Sequence, residues 1–329
     1  MDINQIEIVH RLTESSRGIL AADESVSTCE KRFSPFGIEN TEENRRAYRD
    51  GLFGANISKY LSGIILHEET LNQENLAGRK FSEELGGKNV LVGIKVDQGL
   101  ENMNGSQLEQ YSLGMETLKL RLEDYKSKGA TFTKWRTVYR ISDSTPSSEL
   151  LSVNSNTLAE YAREVLSAGM VPIVEPEVLM DGDHGIKKDR EVTYLVLKSL
   201  FQKLSEFGID FSKIILKPNM VAPGSGSTEK VSAIEIADNT LAVLQEVLPD
   251  NLGGVAFLSG GIDPDLAIES LRQINLRKTS HLRMTFSFAR ALQASFLNTW
   301  RGSADNLEKA RSDFEIQLGK ASLAATIYT

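Results

Sequence analysis

The sequence contains one cysteine, Cys29, so no intrachain disulfide can form and no multi-thiolate metal site is available. A reducing, cytoplasmic compartment is the natural expectation. Histidine is almost as scarce. His10, His67, His184 and His281 show no HxxxH or HxH spacing of the kind that places two imidazoles on one metal. Only His67 closes an apolar run, and with Glu68 and Glu69 after it the residue reads as a packed or capping histidine. There is no GxSxG elbow, and Cys29 has no histidine beside it, so a local serine or cysteine nucleophile lacks support. Nowhere do about 18 apolar residues run together, so no membrane span is expected. The first five residues carry neither the basic region nor the apolar stretch of a signal peptide. Basic charge is in deficit, with 37 Lys and Arg against 45 Asp and Glu. That balance argues against general nucleic-acid binding and leaves room only for a local basic pocket that holds anions.

What the chain has is a rhythm. Its 329 residues are 40% apolar and 25% charged, a composition that buries a sizeable core and excludes disorder. Eight short apolar runs follow one another: 18–23 (GILAAD), 61–68 (LSGIILHE), 90–97 (VLVGIKVD), 131–141 (TFTKWRTVYRI), 171–178 (VPIVEPEV), 213–220 (KIILKPNM), 254–261 (GVAFLSGG) and 284–290 (MTFSFAR). Between them lie segments of helical spacing, such as 157–168 closed by Gly169 and 191–207 closed by Gly208. Strands alternating with helices imply a parallel sheet, because parallel neighbours need crossovers. Eight of them suit a closed (β/α)8 TIM barrel of the α/β class. No linker divides the chain, so residues 1–329 read as a single domain with a short C-terminal tail from about 301. The segments 223–230 and 142–155 read as long loops after the sixth and fourth strands.

Active sites of such barrels lie at the C-terminal strand ends, so charged residues ending apolar strands are the informative feature. Asp23 ends the first strand, Lys95 and Asp97 the third, Glu175 and Glu177 the fifth, Lys217 and Asn219 the sixth and Arg290 the eighth, while Lys134 and Arg136 sit in the fourth. Period two places Ile173, Glu175 and Glu177 on one face, and likewise Ile215, Lys217 and Asn219, or Ile19, Ala21 and Asp23. If those faces point inward, lysines and carboxylates from separate strands converge, and such a cluster survives only if its members pair or shift their protonation. Crowding or desolvation is also how a lysine amine becomes a nucleophile, and Lys217 with Lys134 and Lys95 fits that description. Ser259-Gly260-Gly261 and Arg290 end the seventh and eighth strands, where barrels commonly hold phosphate. Two carboxylates alone, Glu175 and Glu177, suggest a glycosidase, but that chemistry has no use for three lysines.

Ordered along the chain, GILAADES (18–25), GIILHEETL (63–71), VGIKVD (92–97), KWR (134–136), PIVEPEVL (172–179), LKPNMV (216–221), FLSGG (257–261) and ARALQAS (289–295) resemble the class I, Schiff-base fructose-bisphosphate aldolases from about Gly18 to Trp300. The resemblance implies metal-independent, cofactor-free cleavage of fructose 1,6-bisphosphate to dihydroxyacetone phosphate and glyceraldehyde 3-phosphate, and the reverse condensation, in a cytoplasmic homotetramer. It implies that Lys217 forms an imine with the ketose C2 carbonyl. Glu175 would be general acid and base, Glu177 its support, Asp23 the group at the C4 hydroxyl and Lys134 the charge beside the imine. Ser259, Gly260 and Arg290 would hold the C1 phosphate, and Gly261 and Ser287 belong to the substrate- or phosphate-binding set. Lys95, Arg32, Ser25 and Thr28 are candidates for the other phosphate, with Arg136 also in the substrate set.

The chain departs from the family at Val26-Ser27-Thr28, where Thr-Gly-Ser is usual, and at Phe288-Ala289, where Tyr-Gly is usual. Tyr328 is penultimate where many relatives end in a proton-transferring tyrosine; a Tyr328→Phe variant that cleaves the bisphosphate at the parent rate removes that role. Competing readings are a Schiff-base aldolase preferring fructose 1-phosphate or sedoheptulose 1,7-bisphosphate, a pyridoxal-phosphate barrel enzyme, and a non-catalytic barrel scaffold. The first is separated by kcat/KM ratios, the second by absence of a chromophore, and the third by activity on any sugar phosphate.

Overall fold

The strand and helix rhythm closes on itself. The computed structural model describes residues 4–279 and 281–326, so Tyr328 lies outside the described residues. Eight parallel strands run β1 (Gly18–Ala22), β2 (Leu61–Leu66), β3 (Leu91–Lys95), β4 (Phe132–Tyr139), β5 (Val171–Val178), β6 (Ile215–Leu216), β7 (Gly254–Phe257) and β8 (Met284–Phe288). Each pairs with the next and β8 returns to β1, giving the expected closed (β/α)8 barrel with helices between the strands. No helix among the described residues is long and apolar enough to cross a membrane.

The differences from the sequence reading have local causes. The sixth strand is short because Pro218 has no N–H to continue the ladder; Lys217 N still donates to Val174 O at 2.8 Å, just past the last paired residue. Arg290 opens the helix Arg290–Trp300 rather than closing β8. Of the expected loop 142–155, the second half is helix. Ser147 caps Ser148–Ser167 by accepting from Leu150 N, and the Glu109 carboxylate accepts from both Ser147 N (2.6 Å) and Ser147 Oγ (3.0 Å). The same Glu109 sits beside an antiparallel hairpin, Leu100–Asn102 with Gln110–Ser112, that the sequence reading does not contain. Beyond residue 301 the chain is no loose tail: Leu307–Ala324 is an 18-residue helix that buries Phe314, Leu318 and Ala321. The segment 223–230 is a loop, as expected.

Inside the barrel, the residues nearer the N-terminal strand ends are apolar. Ile19, Ala21, Ile65, Leu91, Phe132, Ile173, Ile215 and Ala256 form one buried cluster with Ile8, Val9 and Leu12 of the helix Gln5–Leu12, which plugs that end. A larger cluster lies between strands and helices. Phe132 fills the floor, and it fits only because two inward positions beside it are glycine. A Cβ on Gly93 would lie 2.2 Å from its ring and one on Gly63 would lie 3.1 Å from it. Overpacking of this kind costs ~1–3 kcal/mol. Gly93→Ala should therefore lower the urea midpoint by that equivalent, and adding Phe132→Leu should restore part of it, since the two sites share one contact.

Candidate active site

The opposite end of the barrel is charged. The register of β4 against β5 sets Arg136 beside Glu175 and Val138 beside Glu177, and β3 against β4 sets Lys95 beside Lys134. Along β4 the side chains alternate: Lys134 and Arg136 face the barrel mouth, while Trp135 between them is buried in the outer core. The mouth is a cavity of about 1110 Å³, and the residues to which the resemblance gives catalytic or phosphate-binding roles line it, Tyr328 lying outside the described residues.

Four of them form a chain of alternating charge. Lys217 Nζ lies 2.9 Å from Glu175 Oε1. Lys134 Nζ lies 3.2 Å from Glu175 Oε2 and 2.7 Å from Asp23 Oδ2. Lys217, Glu175 and Lys134 are only 3–4% exposed, so none of these charges has bulk water to fall back on. Pairing decides their state. Burial by itself raises the Asp23 carboxyl, but the Lys134 and then Lys217 ammoniums outweigh it and hold Asp23 well below the usual carboxylate range. Glu175 is lowered in the same way, against burial, by Lys134, Lys217 and Arg136. Burial disfavours the Lys134 cation, yet Asp23 and then Glu175 more than compensate and push it up.

Around this chain stand two further pairs. Arg136 Nε donates to Glu177 Oε2, and Lys95 Nζ lies 2.6 Å from Asp97 Oδ1. Asp97 Oδ2 also accepts from Arg136 N at 3.3 Å, tying the end of β3 to β4.

On the β7 and β8 side, Gly260 and Gly261 have φ of +57° and +113°, values at which a side chain is strained. The Arg290 guanidinium lies against this turn, Nη2 at 3.4 Å from where a Cβ of Gly261 would be, an ordinary contact. Ser287 Oγ is buried with no hydrogen-bond partner among the described residues, although its residue lines the cavity. Across the mouth, the Ser25 hydroxyl accepts from Thr28 N and lies 3.1 Å from both Ser27 Oγ and Thr28 Oγ1 at the start of the helix Val26–Phe33. Glycine turns, hydroxyls and cations at two ends of one cavity suit a substrate with two anionic ends.

The family model for fructose-bisphosphate aldolase class-I, described as glycolytic, matches residues 4–328. The chain belongs to the class I fructose-bisphosphate aldolase family. It is similar to fructose-bisphosphate aldolase C of Mus musculus, 44% identical over 97% of this chain and 89% of the mouse protein. Against fructose-bisphosphate aldolase C-B of Danio rerio the figures are 42%, 97% and 89%. The aldolase of Plasmodium falciparum, solved in complex with TRAP and a small-molecule inhibitor, superposes with a TM-score of 0.96 at 40% identity, covering 99% of this chain and 95% of that one. As a class I aldolase the protein is a carbon–carbon lyase that uses no metal ion.

The aldolase cavity also contains what the sequence reading left out or misplaced. Asn219, read on the same face as Lys217, turns away once the strand has ended. Its Oδ1 accepts from Val178 N (3.1 Å) and its Nδ2 donates to Thr193 Oγ1 (3.3 Å). His67, read from the sequence as a packed or capping histidine, is that: it lines the cavity, its Nδ1 accepts from Glu69 N as a helix cap, and burial followed by Lys95 disfavours its protonation. Glu24 and Gln293 line the cavity too; both lie in the motifs GILAADES and ARALQAS, but the motifs give them no role, because each acts on another protein group.

Lys134 is the group on which two carboxylates of the aldolase depend, and that has a testable pH signature. Because the folded-state pKa values of Asp23 and Glu175 are lowered, the unfolded chain binds more protons as acidity increases. Their stabilisation is complete above the unfolded carboxylate range of about 4 and is lost as pH falls below it. Lys134→Met should cost ~3–5 kcal/mol at neutral pH, the penalty for breaking a buried pair, and should flatten the acid limb, variant and parent converging below about pH 4 where the lost pairing no longer counts. Urea midpoints measured from pH 3 to 8 check both.

Proposed function

We propose that this aldolase cleaves fructose 1,6-bisphosphate, and condenses dihydroxyacetone phosphate with glyceraldehyde 3-phosphate, through an imine on Lys217. The observation that carries the assignment to this lysine is the 2.9 Å contact of its Nζ with Glu175 Oε1 inside the cavity. Glu175 can take the proton that Lys217 must lose and return it where the carbinolamine must lose water. Lys95 and Lys134 are less suited, the first facing Asp97 and the second held between two carboxylates.

The steps follow from the positions. The neutral Lys217 amine attacks C2 of the ketose, Glu175 protonates the departing hydroxyl, and water leaves as the iminium forms. The iminium accepts the electron pair of the C3–C4 bond while Asp23 takes the C4 hydroxyl proton, releasing the aldehyde. The enamine is then protonated at C3, and hydrolysis frees dihydroxyacetone phosphate and Lys217. Lys134 holds Asp23 and Glu175 at once and so fixes the distance between the group that works at C4 and the group that works at C2. Glu177, paired with Arg136, backs Glu175. Ser259, Gly260, Gly261, Ser287 and Arg290 take the C1 phosphate, and Lys95, Ser25 and Thr28 the other. Arg32, grouped with Lys95 in the sequence reading, meets Gln293 one turn along the helix that begins at Arg290, and we assign it to the C1 phosphate. The same reading makes the chain one functional unit in a cytoplasmic homotetramer, supported by its family rather than by any interface described here.

Borohydride reduction in the presence of dihydroxyacetone phosphate should leave a covalent adduct on Lys217, located by peptide mass spectrometry, and EDTA should not change the yield. Lys217→Ala should trap nothing and lose at least ~10³-fold in kcat, the scale expected when a covalent nucleophile is removed. An adduct on another lysine, or sensitivity to the chelator, would falsify the mechanism.

A further inference from the structure

At the edge of the cavity lies a charged group of which the reaction as described uses only Arg32. Glu24 is the residue after Asp23, so it turns to the opposite side, and its side chain is 3% exposed. Its Oε2 lies 2.5 Å from Nη2 of Arg49, which is itself 2% exposed. The Arg49 guanidinium also lies 5.1 Å from the Tyr48 ring centroid, and Tyr48 stacks on Trp300. Arg49 therefore has little freedom to move. The other Glu24 oxygen, Oε1, accepts from Arg32 Nη1, and the same Nη1 donates to Gln293 Oε1. Gln293 is fully buried, and its Nε2 donates to the Ala21 carbonyl at 3.1 Å.

Two consequences follow. The first concerns charge: two guanidiniums share one carboxylate, so the group carries a surplus of one positive charge. Of its three members, Arg32 is the most exposed, at 15%, and it lines the cavity. The surplus is presented where the cavity is. The second concerns direction. Ala21 fixes which way the Gln293 amide points, Gln293 and Glu24 hold Arg32 Nη1, and Ala21 belongs to the strand that leads into Asp23. The position of Arg32 is thus referred to the same backbone as a residue of the proposed chemistry. A cation ordered before the ligand arrives binds a phosphate without the loss of side-chain freedom that a loose arginine would suffer.

The geometry points to Glu24 and Gln293 as positioning residues that hold Arg32 ready for the C1 phosphate, with Arg49 as the buried counter-cation that locks Glu24. This rests on the reading of Arg32 given under the proposed function. It is tested in the condensation direction, where the two phosphates arrive on separate molecules. Gln293→Leu removes one of Arg32's two acceptors and leaves the buried ion pair in place. It should raise the KM for dihydroxyacetone phosphate about ten-fold. The KM for glyceraldehyde 3-phosphate should stay at the parent value and kcat within about two-fold. In an Arg32→Ala background the same substitution should add nothing, because the residue it positions is gone. Glu24→Gln should behave alike where it folds, and Gln293→Leu decides the matter where it does not. If Arg32→Ala raises the KM for dihydroxyacetone phosphate while Gln293→Leu leaves it at the parent value, the positioning role is wrong and the subsite reading stands. If Arg32→Ala leaves that KM unchanged, both fall. Additive effects, or a loss of kcat with both KM values unmoved, mean that Gln293 only packs the helix.

Discussion

One ammonium group sets the conditions for the rest of the site. Lys134 Nζ touches carboxylates from two other strand ends, and without it Asp23 and Glu175 would be two anions in a region with almost no water. Their mutual repulsion and desolvation would then favour protonation of one of them. A protonated Asp23 could take no proton from a hydroxyl, and a protonated Glu175 could take none from an amine. The lysine is therefore a precondition of the chemistry rather than an extra contact. Its own charge is secured by the same two groups, so the arrangement is mutually dependent.

The barrel was legible in the sequence because eight apolar runs alternate with amphipathic segments, a pattern with few other solutions. The convergence of Lys217, Lys134, Glu175 and Asp23 was legible for a related reason: strand ends of a parallel barrel share one mouth, so position along the strand suffices to place them. What could not be read is set by single contacts. Asn219 obeyed strand alternation until Pro218 ended the ladder. The helix starting at Ser148 hid in a Ser-rich stretch because its cap depends on Glu109, 38 residues away from Ser147. The helix Leu307–Ala324 shows only a weak apolar stripe and takes its place from the helices beside it. Glu24 and Gln293 lie inside motifs shared with the family, and Arg49 in none, but no motif shows that they work through Arg32, since their partners are protein groups rather than substrate.

The interior has a division of labour along its axis. Apolar residues and the Phe132 ring fill the lower half, and charged groups fill the upper half. Both halves follow from one strand periodicity, which points inward whatever residue occupies alternate positions. The floor thereby fixes the strand spacing, and with it the distances among the charges above. A change in packing at Gly93 or Gly63 would reach the lysines through the strands that carry both.

The plug at the bottom has a bearing on how the chain is made. Gln5 Nε2 donates to Leu166 O and Met170 O, both at 2.9 Å and the latter 165 residues away. Ile8, Val9 and Leu12 bury themselves against side chains that reach as far along the chain as Ala256. The helix Gln5–Leu12 thus cannot complete its contacts until the fifth strand has been made. At about 5–20 residues per second that wait is on the order of 10–30 s. Throughout it part of an amphipathic face lacks its later partners, and the plug is complete only when Gln5–Leu12 meets the second half of the barrel.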